Sequence, residues 1–361
     1  FQSGRAKRRQ SGLQKPPPAK QCTVGLLAAS CSNDKDVITP DLGTANAPVA
    51  IKLTQSVEGL TTKAPITNGS QVEGIVVMVD VTSGHEHDWG SFNPVYKNVI
   101  NETTKALETR ANVAGAVFTA GKETDITLTP TLYYDNTEVS PKNSHITAVV
   151  PSGTIESSKV VFGKVDGLQD VMTIGTDQDA GTAALPSQEG CKLTFSHKTT
   201  QLVFAASYTS VAGGKGEWEG KNVSIKSIKI LGTQLPQSVN LTNGDVNWAT
   251  ASDFSVPNIT TTALSTTAST ISPAVMLAPS NDIKLNVTIN VGGTDRTFLN
   301  VPVMDSKNAG EKLNAQEGYA HTVTLNITEP DKPTGENVKA LEVKATVNEW
   351  KQGNGGTVDL K

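Results

Sequence analysis

A chain of 361 residues that is 37% hydrophobic and 18% charged, with 31 Gly and 18 Pro, exceeds the usual size of one domain and points to two. Its Thr, Val, Asn, Gly and Pro favour strands joined by turns over long helices. The net charge of −4 is uneven, because Arg5, Lys7, Arg8, Arg9, Lys15 and Lys20 precede residue 32 without one Asp or Glu, which leaves about −10 on the remainder. An acidic body lacks the clustered cations that grip a phosphate backbone, so nucleic acid is not expected as a partner.

Behind the basic stretch that ends at Lys20, residues Cys22 to Cys31 form a short run of apolar and small side chains closing on a cysteine. Basic region, apolar run and small residues follow one another in the order of a secretory signal. The run is too short to cross a bilayer as a helix, which needs about 20 apolar residues. Leu27-Ala28-Ala29-Ser30-Cys31 resembles the lipobox of bacterial lipoproteins, although its Leu stands one residue further from the cysteine than usual. Residues 1–31 therefore read as a basic leader and lipoprotein signal, with Cys31 as the lipidation site that tethers the protein to the outer membrane. Residues 32–48 are polar and turn-rich and read as a linker.

Val49-Ala50-Ile51-Lys52-Leu53-Thr54 alternates, and predicts a strand with Val49, Ile51 and Leu53 on one face. Ile75 to Val79 is a continuous apolar run, as expected of a strand buried on both faces. Further strands are predicted at 116–119, 124–132, 146–150 and 159–162, and Val99 to Arg110 is the single helix candidate. The aperiodic stretch from Gly175 to Gly190 reads as a boundary, giving domains at 49–180 and 190–361. Beyond it strands are predicted at 202–206, 223–231, 283–291, 298–303, 322–327 and 341–347. In Ile283 to Val291 every odd position is apolar and every even one polar, the signature of one core face and one wet face. The expected fold is all-β, with a sandwich in each half.

No nucleophile elbow, zinc-binding helix motif, phosphate loop or dinucleotide fingerprint occurs, so no enzymatic activity, cofactor or metal is expected. His85-Glu86-His87-Asp88 sits between Gly84 and Gly90 and reads as a solvated loop rather than a metal site. His145, His197 and His321 fall in predicted strands and read as half-buried strand residues rather than bases. Cys191, beside Leu193 and Phe195, reads as a small buried residue.

Several landmarks together resemble the fimbrillin-like family of Bacteroidota, the subunits of type V pili. They are Thr61-Thr62-Lys63-Ala64 after the first strand, Leu193-Thr194-Phe195-Ser196-His197 followed by Gln201-Leu202-Val203-Phe204, Tyr319 to Leu325, and Ala345 to Trp350. The resemblance implies two tandem transthyretin-like Greek-key sandwiches, export as a lipoprotein, and assembly by proteolysis with donor-strand exchange between pilus subunits. The implied maturation cut follows Lys63, with Arg110 as the alternative, and the displaced strand carries Val49, Ile51 and Leu53. Few strand-forming residues follow Trp350, which suggests a subunit that accepts a strand better than it donates one, at a tip or accessory position. The implied partners are other pilus subunits and a ligand on a host or bacterial surface. The alternative is a surface-anchored carbohydrate- or ligand-binding lipoprotein that does not polymerise.

Overall fold

The computed structural model describes residues 48–57, 71–81, 97–101, 103–119, 124–136, 143–175, 178–180, 191–306, 308, 310–331, 344–347 and 356–360. The strands of the first part are β1 (Leu53–Val57), β2 (Gln71–Val81), β3 (Lys97–Ile100), β4 (Leu107–Arg110), β5 (Val113–Thr119), β6 (Thr124–Asp125), β7 (Thr127–Thr129), β8 (Asn143–Val150), β9 (Thr154–Glu156), β10 (Lys159–Val161), β11 (Met172–Thr173), β12 (Gln178–Asp179) and β13 (Cys191–His197). There follow β14 (Thr200–Thr209), β15 (Val223–Thr233), β16 (Pro236–Asn240), β17 (Val246–Trp248), β18 (Ser252–Ser255), β19 (Ser269–Thr270), β20 (Val275–Leu277), β21 (Lys284–Val291), β22 (Thr294–Pro302), β23 (Met304–Asp305), β24 (Ala320–Thr328), β25 (Lys344–Val347) and β26 (Gly356–Leu360). Among the described residues there is no helix, and the protein is all-β.

The helix expected over Val99 to Arg110 is instead the β3–β4 hairpin, in which Lys97 faces Arg110 and Ile100 faces Leu107. Asn101 decides this. Its Oδ1 accepts from the N–H groups of Thr103 and Thr104 at 2.9 and 3.0 Å, and Lys105 takes a left-handed φ of 55°. A side chain that satisfies the turn, flanked by β-branched Val99, Ile100, Thr103 and Thr104, outcompetes a helix with few apolar contacts to hold it.

The largest sheet has nine strands in the order β6-β1-β13-β11-β8-β2-β5-β7, with β12 beside β8. Its two ends are consecutive in the chain, because β6 and β7 flank Ile126. β6 pairs with β1 while β7 pairs with β5, so this one segment closes the sheet upon itself. The interior holds Val76, Met78, Phe118, Ile146, Leu193 and Phe195, with Phe118 and Phe195 edge to face at 4.8 Å. β2 explains its unbroken apolar run: Val76 and Met78 point into this interior, whereas Ile75 and Val77 point outward into a second, smaller core. Gly74 allows the close approach of the strand, since a Cβ there would stand 2.5 Å from the Phe118 ring and 2.6 Å from the Val149 carbonyl oxygen.

That smaller core lies beneath a four-stranded sheet in the order β17-β16-β10-β9, through Val160, Phe162, Val239 and Leu241. The remaining strands form a seven-stranded sheet around β14 and β24 and a four-stranded sheet β18-β15-β21-β22. Leu202, Phe204, Ile225, Ile228, Val287 and Leu325 fill the space between these two, a sandwich in which β21 and β24 alternate strictly and β15 carries a bulge between Ile225 and Ser227.

His321 ends the inward row Val323, Leu325 and Ile327 of β24 and is 3% exposed, not half-buried as expected. It stacks on Tyr319, and neither ring nitrogen meets a hydrogen-bond partner among the described residues. Burial pushes its pKa down from 6.5 to about 4, with Asp305 pulling weakly the other way. A histidine whose folded pKa is depressed stabilises the fold fully above its unfolded pKa and progressively less as pH falls towards the folded one. Urea unfolding of the wild type and His321→Leu at about pH 7.5 and about pH 4.5 should therefore show the variant gaining about 2–3 kcal/mol relative to the wild type at the lower pH. An unchanged difference would contradict a neutral, buried imidazole.

Candidate functional site: the seat of the first strand

The segment from Val49 to Val57 runs through the wall of the nine-stranded sheet with a backbone partner on each side. On one side the ladder to β13 is parallel, from Leu53 opposite Cys191 to Val57 opposite Phe195, and the Cys191 N–H donates to the Lys52 carbonyl at 3.1 Å. On the other side the chain from Thr124 to Tyr134 runs antiparallel. Thr54 faces Asp125, the Ile126 N–H donates to Leu53, the Ile51 N–H to Leu132, and the Tyr134 N–H to Val49. Residues 127–129 leave this path to pair with β5, and Leu132 returns to it.

Alternation decides what the segment buries. Ile51 and Leu53 are 4% and 2% exposed, Val49 is partly buried against the same core, and Lys52 points to solvent. Leu132, Tyr134, Cys191, Leu193 and Phe195 belong to the cluster that receives them. Gln55 continues the inward row and is fully buried, its Nε2 donating to the backbone carbonyl of Thr119. The predicted strand ended at Thr54, one residue before this glutamine. A polar residue at an inward position interrupts the apolar alternation, which is why the expected strand stops short of it.

The walls of the seat are held independently of the first strand. Tyr134 anchors its stretch through a buried hydroxyl that donates to the Ala180 carbonyl at 2.7 Å. β13 is fixed at its far end by His197, whose Nδ1 lies 2.8 Å from an Asp170 carboxylate oxygen with both side chains buried. Thr199 donates to the other Asp170 oxygen at 3.4 Å. Buried polar groups without such partners would be costly, so this set fixes where β13 ends. Burial, reinforced by Asp179, pushes the Cys191 thiol from 9.0 up to about 11, in keeping with the inert residue expected there.

His145 and His197, like His321, are buried in strands, at 7% and 4% exposure. Arg110 lies in β4 opposite Lys97. Cys31, Lys63, the linker up to residue 47 and the His85–Asp88 cluster lie outside the described residues.

Emptying an inward pocket and trimming an outward side chain should have unequal effects. Leu53→Ala is expected to cost about 2–5 kcal/mol in urea unfolding, and Lys52→Ala about 0.5 kcal/mol or less. Equal losses would show that the strand is not seated as described.

A family model for fimbrillin-like proteins matches residues 86–350, a span that includes the stretch 124–134 and β13 but begins after β1. No curated protein matches the chain. Among solved structures it is similar to the fimbrial anchor protein Mfa2 of Porphyromonas gingivalis, at 11% identity over 85% of this chain and 100% of that one, with a TM-score of 0.37. It is similar also to a fimbrial assembly protein of Parabacteroides distasonis, at 11% identity over 86% of this chain and 99% of that one, with a TM-score of 0.40. The matched span covers well over half of the sequence, and the chain belongs to the fimbrillin-like family.

Proposed function

We propose that this protein is a structural or adhesive subunit of a cell-surface fimbria, exported as a lipoprotein through Cys31 and assembled by exchange of its first strand. The carrying observation is that Val49 to Val57 is bonded on both flanks and buries Ile51 and Leu53, while both flanking walls come from far downstream in the chain. Removing such a strand leaves two facing edges of unpaired N–H and C=O groups above an apolar slot, which a strand from another subunit completes. Two tandem transthyretin-like domains are part of the same reading.

The maturation cut is assigned after Lys63, between β1 and β2. A cut after Arg110 would also remove β2, which lies between β5 and β8 and feeds both cores. Burying each large apolar side chain of β2 contributes on the order of 1.5–3 kcal/mol, and a sheet deprived of them would collapse rather than open. β25 and β26 both pair with β24 of the same chain. A subunit that uses these strands itself accepts a strand better than it offers one, as a tip or accessory subunit does.

Two measurements test the reading. N-terminal sequencing of protein recovered from surface polymers should begin Ala64-Pro65-Ile66. Ala111-Asn112-Val113 would move the cut, and acylated Cys31 on all recovered polymer would overturn maturation by cleavage for this protein. In a chain carrying Cys22→Ser and Cys31→Ser, Cys191 should resist thiol reagents while the first strand is in place. Once that strand is cut free and washed out, labelling should rise at least about tenfold, since the thiol faces Leu53 across the parallel ladder. Equal labelling before and after would mean that nothing had been uncovered.

A further inference from the structure

The inward row Val49, Ile51, Leu53, Gln55 is apolar at its first three places and polar at the fourth. Gln55 is 0% exposed and stands opposite Thr124 on one flank and Leu193 on the other. Its Nε2 donates to the carbonyl of Thr119, the last residue of β5, a strand that does not pair with β1. A buried carbonyl and a buried carboxamide are each costly without a partner, and that cost is avoided at one alignment only. A slip of two residues would bring Leu53 or Val57 to the Thr119 carbonyl. A slip of one would turn Ile51 and Leu53 to solvent and Lys52 inward.

We infer that the Thr119 carbonyl is the register key of this seat. The strand it accepts runs parallel to β13 and carries apolar residues at alternate inward positions, followed at the next inward position by a side chain that donates a hydrogen bond. The partner so defined is an extended segment of another polypeptide with the pattern apolar-x-apolar-x-carboxamide. The two apolar places supply most of the burial and tolerate many side chains of similar volume, whereas the carboxamide place discriminates. This inference rests on the proposal that the first strand is replaceable, and adds the chemistry by which a replacement is chosen.

The test uses the full chain with a protease cleavage sequence inserted after Gly59, cut in place and offered labelled peptides of residues 48–57. Three peptides are compared by fluorescence anisotropy: the natural one, one with Gln55→Leu and one with Gln55→Met, each close in volume and lacking the donor. The natural peptide should enter the seat, and both variants should bind about ten- to a hundredfold more weakly, the usual penalty for an unanswered buried acceptor. If all three bind alike, the register key is overturned while the replaceable strand stands. If none enters, including the natural peptide, strand replacement itself fails and the inference fails with it. A cut chain made with Gln55→Leu in its own first strand gives an independent reading, since it should exchange that strand for the natural peptide faster than the unmutated cut chain does.

Discussion

A strand inside a protein wall must satisfy its N–H and C=O groups on both edges, and the segment 49–57 does so with partners that follow it far along the chain. The closure of the nine-stranded sheet depends on that double pairing. With β1 in place, the stretch from Thr124 to Tyr134 and β13 are bridged and the sheet closes around Met78, Phe118 and Phe195. Without it, the same two elements are edges that face each other across one strand's width, about 10 Å from wall to wall at the usual interstrand spacing. The seat is therefore a property of the whole sheet, and no single residue of it would suggest a binding site.

Most of the fold was legible because its strands obey simple periods. β21 shows the clean case, where Leu285, Val287, Ile289 and Val291 are buried and the residues between them half-buried, as the alternation predicts. β2 was legible for the opposite reason, since an unbroken apolar run needs two cores to absorb it. What escaped were pieces of two to five residues, among them β9, β11, β16, β17 and β20, which are too short for a period to be read. The helix expected over Val99 to Arg110 failed because charged residues at helical spacing say little when one asparagine can organise a turn. Of the candidate site, Ile51 and Leu53 were legible by alternation. Gln55, Tyr134 and Thr119 were not, since their roles depend on contacts across the barrel.

The stretch between Gly175 and Gly190 reads as a divide in the sequence, yet pairing crosses it. The β16–β17 hairpin lies after it and joins β10 and β9, which lie before it, with Val239 and Leu241 packed on Val160 and on the outer face of β2. His197, on the strand that seats β1, shares the buried Asp170 with Thr199, and Thr199 in turn touches the Met276 sulfur from β20. β13 is thus tied by hydrogen bonds and packed groups to the sandwich around β14 and β24. In a subunit proposed to be held in a fibre through its first strand, that continuity keeps tension on the seat from opening one part of the fold alone.

The same topology sets the order in which the seat forms. β1 is made early, but its parallel partner β13 lies well over a hundred residues later, and closing so long a loop has an entropic cost that only a preformed sheet repays. By this argument β1 pairs late, and Tyr134, His197 and Asp170 hold the walls of its seat through further bonds that do not involve it. Open edges invite association with any extended chain. In the proposed strand exchange, a resident first strand bearing the Gln55 carboxamide would keep those edges covered until a competing strand with the same chemistry is at hand. The feature inferred to make the seat selective would then also protect the subunit before the proposed assembly, because a strand without the hydrogen-bond donor is a poor substitute in both settings.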